Sequence, residues 1–215
     1  MATIFPPIDL FEEVADAGDL DALMALRART DPLSERIQPA LAIPPRDRVY
    51  GPGAGYVMAP FVYPSPDGTR FGPPALTAES FGVYYAARDE ATAIAEVKHH
   101  RVAFLEAMHA PAQDLDFEVL RAPVKGAHFY DLRGRQREFP GVYSPTDYSA
   151  SQKLGAEIRR KDADGIAYDS VRREGGECVA VFRPRCVGPA RPVKHIIFRW
   201  DGAAIAAVLE THRLA

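Results

Sequence analysis

The chain has 215 residues, 47% of them hydrophobic, with a formal net charge of −3 and an isoelectric point near 6.1. That length buries a full core in one globular domain, and the sequence holds no apolar run of the roughly 18 residues that a membrane helix needs. The acidic balance gives no global attraction to nucleic acid or anionic lipid, so any anion site has to be a local cluster of bases.

In chain order, residues 8–29 alternate apolar and acidic positions at helical spacing (Leu10, Phe11, Val14, then Leu20, Leu23, Met24), with Asp19 placed as an N-cap. They predict a helical N-terminal extension over 1–32. The first twenty residues carry acids and no Lys or Arg, which argues against the basic region of a secretory signal and for a cytoplasmic protein. From Asp31 to Pro74 prolines and glycines recur so often that only short extended pieces are expected, one of them around Arg48–Tyr50. "SFGVYYAA" (Ser80–Ala87) has the β-branched and aromatic content of a buried strand, followed by Asp89 as a cap and a helix to about Met108. Further strands are expected at "DFEVLRA", "AHFYDLR", "GIAYDSV", "CVAVFRP" and "HIIFRW", with a helix over about 147–161. Strands and helices do not alternate regularly, which favours a mixed α+β fold, mainly antiparallel with flanking helices, over a doubly wound parallel sheet.

On the helix after Asp89, a stripe of Ile94, Val97, Arg101, Phe104, Leu105 and Met108 is expected to face the core. Glu96 falls opposite, with Thr92, Ala103 and Ala107. Periodicity leaves two readings for that second face: a solvated surface, or the wall of a cleft floored by the aromatic strand.

Several apparent motifs fail on spacing. "GPGAGY" (Gly51–Tyr56) brings its third glycine one residue early for a dinucleotide loop, and no long apolar strand leads into it. Glu96-x-x-His99 is half of a di-iron pattern without its second half, and Cys178 and Cys186 lack companions at ligand spacing, so no metal site is expected and both are read as buried thiols. Ser170 lacks the glycines of a nucleophile elbow. The "RGRQR" loop (Arg133–Arg137) is short and free of interleaved aromatics, as in a solvated basic loop, and direct nucleic-acid binding is not expected.

Five fragments in order carry a resemblance: Arg48 in "RDRVYG", Arg70 in "DGTRFG", Tyr85 in "GVYYAA", Glu96 in "AIAEVKHH" and Ser170 in "GIAYDSVRREGGECVAVFRP". Together, from about Arg46 to Trp200, they resemble the core of the RES-domain toxins, a family named for its Arg, Glu and Ser. The arginine fragment "DGTRFG" departs from the Gly-Gly-Arg-Trp of many members. The resemblance implies an ADP-ribosyltransferase-like core and NAD used as a substrate, cleaved between nicotinamide and ribose. The ADP-ribosyl group would pass to a protein, water or phosphate, and no metal would take part. It also implies a cognate antitoxin with a helix-turn-helix part, and leaves room for a protein target.

The residue types suit that chemistry. Cleavage of the nicotinamide bond develops positive charge on the ribose, which a carboxylate held nearby stabilises, and Glu96 is the candidate. The leaving group is already cationic, so no second catalytic carboxylate is needed. Arg48 and Arg70 match the diphosphate with planar guanidinium forks. Tyr85 offers a ring face to the cationic nicotinamide or packs in the core, and Tyr84, pointing to the opposite face of the strand, is read as core. Ser170 either binds the nicotinamide amide, orients Glu96, or satisfies backbone at a strand end. A non-catalytic module that binds a partner protein is the alternative from a different class.

Overall fold

The structure, a computed structural model, describes residues 2–3, 18, 43–63, 65–75, 77 and 80–211. The helical segment expected over 8–29, with its Asp19 cap, lies outside these residues apart from Gly18.

Two four-stranded sheets carry the fold. The first orders β1 (Ala2–Thr3), β3 (Gln113–Arg121), β7 (Arg191–Trp200) and β8 (Ile205–Thr211), all antiparallel. The second orders β2 (Tyr84–Ala87), β6 (Glu177–Val181), β5 (Gly165–Asp169) and β4 (Phe129–Asp131), with only β4 and β5 parallel. Helices α1 (Ala54–Val62), α2 (Glu90–Ala107) and α3 (Ser149–Arg160) flank them. The fold is therefore α+β, as the irregular order of elements implied.

Helix α1 overturns the expectation of extended pieces alone between Asp31 and Pro74. Gly53, at φ 83°, makes the left-handed entry that its missing Cβ permits. Pro60 inside the helix forfeits one backbone hydrogen bond, at a cost of about 3 kcal/mol. Val57, Met58, Phe61 and Val62 are all buried on the same helix, and each contributes about 1.5–3 kcal/mol. Burial outweighs the local penalty.

Helix α2 starts where its cap predicts. The Asp89 carboxylate accepts from the Thr92 backbone N–H at 2.9 Å and from the Thr92 hydroxyl at 2.8 Å, and these bonds hold its carboxyl below the ordinary range. Removing the cap in Asp89→Ala is expected to lower Tm by about 2–4 °C, read by thermal unfolding at neutral pH, where the carboxylate is charged.

Only part of the predicted stripe reaches the core. Leu105 is buried, Ile94 and Val97 pack on the first sheet beside Phe117, Ile196, Phe198 and Trp200, and the Arg101 guanidinium lies 5.5 Å from the Phe117 ring centroid. Phe104 and Met108 are 52% and 61% exposed, contrary to the periodicity. The first sheet meets α2 along Ile94, Val97 and Leu105, and these two side chains fall outside that contact.

The second sheet separates the two tyrosines of β2. Tyr84 joins the cluster of Val57, Val181, Cys186 and Val187 on the α1 side, while Tyr85 packs with Phe71, Tyr168, Cys178 and Ala180 on the other. Alternation along a strand requires this division, and it turns Tyr85 toward the side on which Glu96 lies.

Candidate active site

Glu96 is half-buried, one turn beyond the buried Thr92 on the face of α2 that turns from the first sheet toward the second. Ser170 follows the last residue of β5, and its backbone N–H closes a loop by donating to the Gly176 carbonyl at 2.8 Å. A Cβ on Gly176 would stand 2.6 Å from Thr92 Oγ1, so only glycine lets this loop close on the first turn of α2. The approach places Ser170 Oγ 2.6 Å from Glu96 Oε1.

The direction of that bond follows from the serine's other partners. Its oxygen accepts backbone N–H groups from Arg172 at 3.0 Å and Arg173 at 3.1 Å. Both lone pairs are used, so the hydroxyl proton points at Glu96 and the carboxylate accepts. The Cys178 thiol, at 4.0 Å, adds a weak contact to the same Oε1. Oε2 has no hydrogen-bond partner among the described residues. Burial, and after it the Glu96 charge, pushes the Cys178 thiol up to about 12, so it stays a neutral thiol near pH 7.

Tyr85 is tied into the arginine loop. Its hydroxyl accepts the Phe71 N–H at 2.8 Å and donates to Thr69 Oγ1 at 2.9 Å. Burial pushes its phenol up to about 12, so the donor proton is retained. The loop is also pressed on α3, where a Cβ on Gly155 would lie 2.1 Å from the Phe71 carbonyl oxygen. Between these restraints Arg70 is 7% exposed, its Nη1 donating to the carbonyls of Val142 and Ser144 at 3.0 Å each. Its guanidinium carbon sits 4.7 Å from the Tyr148 ring centroid.

Thus Glu96 and Ser170 are joined directly, and Tyr85 and Arg70 through a shared loop; the buried Tyr168–Cys178 packing beneath them connects the two pairs. Arg48 follows the 3-10 turn Pro45–Asp47, its Nε donating to the Ile43 carbonyl at 2.8 Å, and among the described residues no hydrogen bond links it to the other four. Sequence reasoning missed Thr69 and Tyr148, because the contacts that bring them in span 16 or more residues of sequence. The "RGRQR" loop is engaged in surface pairs: Arg133 with Asp131 and Glu177, and Arg135 with Glu138. A depression of about 570 Å³ lined by Lys125, His128, Asp164, Arg185 and Cys186 lies by the cluster on the α1 side and contains no member of the Glu96 group. The described residues contain no cluster of His, Cys, Asp and Glu able to hold a metal, and no helix long and apolar enough to cross a membrane.

His99 and His100 are held below the ordinary imidazole value of 6.5, both by burial first, then His99 by the Arg172 charge and His100 by that of His99. Glu96 pulls the other way, too weakly to reverse the shift. As pH falls through 6.5 the unfolded chain takes up protons before the folded one, so stability present above 6.5 is lost on the way down. Thermal unfolding from about pH 7.5 to about pH 5 should show Tm falling, and His99→Gln should lessen that slope, with the more exposed His100 contributing little.

The α+β scaffold thus holds one serine-oriented carboxylate and one buried, carbonyl-bound arginine. The RES domain family matches residues 46–201, and the chain belongs to that family. The uncharacterised protein y4oC of Sinorhizobium fredii (strain NBRC 101917 / NGR234) is 29% identical over 210 residues, covering 94% of this chain and 81% of its own length. Among solved structures, the crystal structure of the M. tuberculosis MbcT–MbcA toxin–antitoxin complex aligns with a TM-score of 0.42 and 21% identity, over 64% of this chain and 74% of that one.

Proposed function

We propose that the chain is the toxin of a toxin–antitoxin pair and cleaves the nicotinamide–ribose bond of NAD, passing the ADP-ribosyl group to an acceptor. Membership of the RES domain family supports the class. The observation that carries the chemistry is the Ser170 hydroxyl held on Glu96 Oε1 at 2.6 Å, with Oε2 left for a ligand.

In this reaction the carbon–nitrogen bond breaks and nicotinamide leaves as a neutral molecule with the bonding pair. Positive charge develops on the ribose, and the carboxylate stabilises it more in the transition state than in the ground state. An acceptor then gives a lone pair to the anomeric carbon and loses a proton. Water, inorganic phosphate and a protein side chain all meet that requirement. Arg70 and, on the family resemblance, Arg48 take the diphosphate. Tyr85 closes the nicotinamide side, its hydroxyl holding the arginine loop. A cognate antitoxin with a helix-turn-helix part would cover the site until the toxin is released.

Incubation of the purified chain with NAD labelled in its adenylate tests this. Free nicotinamide must appear, and the label must move to ADP-ribose, to its phosphate ester or to a polypeptide, which identifies the acceptor. No nicotinamide release, together with a stable complex with a partner protein, would sink the enzymatic reading in favour of a binding module.

A further inference from the structure

We propose that Arg172 is a further ligand of the diphosphate, acting beside Arg70 at the mouth of the Glu96 site; this rests on the NAD reading above. Arg172 lies two residues beyond Ser170, and its backbone N–H is one of the two that load the serine oxygen. Its Nη2 donates to the Pro145 carbonyl and, at 3.4 Å, to the Tyr148 hydroxyl. The same Tyr148 ring carries the Arg70 guanidinium, 4.7 Å from its centroid. Two guanidinium groups from distant parts of the chain are therefore mounted on one tyrosine, Arg70 at the ring and Arg172 at the hydroxyl. Arg172 is also tied to Glu96 through Ser170, whose Oγ accepts the Arg172 N–H at 3.0 Å and donates to Glu96 Oε1 at 2.6 Å.

The neighbouring arginines show what is missing. Arg173, on the same turn, faces Asp89 at 3.4 Å, and Arg133 faces Asp131 at 2.8 Å. Among the described residues neither Arg70 nor Arg172 forms a salt bridge. Two like charges mounted on one tyrosine, neither within salt-bridge distance of a carboxylate, repel, and a bound anion offsets that penalty. Arg172 Nε, moreover, is buried with no hydrogen-bond partner. A guanidinium N–H without an acceptor is costly, and because this one is closed to solvent a phosphate oxygen pairs with it only as the side chain turns toward the ligand. A dianionic diphosphate answers both deficits, spanning the two guanidiniums while the ribose reaches Glu96.

The test is calorimetric binding of ADP-ribose, which carries the diphosphate, and of nicotinamide riboside, which lacks it, to the full chain and to Arg172→Gln. ADP-ribose binding should weaken about 10- to 100-fold, while nicotinamide riboside binding stays within about twofold and Tm within a few degrees. Arg172→Lys, which keeps the charge but not the planar fork, should fall between, and it serves where the Gln variant does not fold. ADP-ribose binding unchanged in a folded variant overturns the role of Arg172 and leaves the NAD reading intact. Equal weakening of both ligands also overturns it, since Arg172 would then act by shaping the Ser170 turn. A parental chain that binds no ADP-ribose and releases no nicotinamide overturns the NAD reading itself.

Discussion

Glu96→Gln is expected to release nicotinamide from NAD at least about 100-fold more slowly than the parental chain, with Tm nearly unchanged. Glutamine keeps the length of the side chain and an oxygen that accepts the Ser170 proton, so the 2.6 Å contact and the loop behind it need not rearrange. Only the charge is lost. Removing one preorganised electrostatic partner of a transition state costs about 2.7–4 kcal/mol, or two to three powers of ten in kcat. Because that charge acts on a cation that exists only as the bond breaks, kcat should fall while KM changes little. Measuring kcat at saturating NAD alongside thermal unfolding separates the outcomes. A folded variant retaining most of its rate would show that the carboxylate does not stabilise the ribose.

The residues that read correctly from sequence are those whose placement is decided locally. Asp89 caps α2 because its carboxylate has only to reach three residues ahead, and Tyr84 and Tyr85 divide between faces because a strand alternates. A helical wheel leaves Glu96 between solvent and cleft, because it carries no information about a second sheet. The deciding contact, from Ser170, comes from 74 residues away. Phe104 and Met108 failed for the complementary reason: the wheel assigns a face, but the extent of the opposing sheet decides how much of it is covered. Helix α1 was hidden by Gly53 and Pro60, whose local cost is real and is offset only by burial against elements later in the chain. The Tyr148 platform had no periodic signal, since it joins one loop to residue 70 and another to residue 172.

Arg70 should prove to be both a structural and a binding residue, and its two substitutions are expected to separate the roles. In Arg70→Ala the carbonyls of Val142 and Ser144, each bonded to Nη1 at 3.0 Å, lose their donor, and the Tyr148 ring loses its cation. Hydrogen bonds from a charged group are worth about 1.5–3 kcal/mol each, so a total of roughly 3–5 kcal/mol is at stake, equivalent to a fall in Tm of roughly 6–20 °C. Arg70→Lys retains a cation able to serve one of those carbonyls but has no planar fork, so one ammonium must choose between holding the loop and meeting phosphate. Its Tm should fall by only a few degrees, while KM for NAD rises by about tenfold or more. The diagnostic quantity is the ratio of the two effects: a KM that stays at the parental value in a folded Arg70→Lys variant would make Arg70 a brace for the 142–144 segment and leave the diphosphate to other cations.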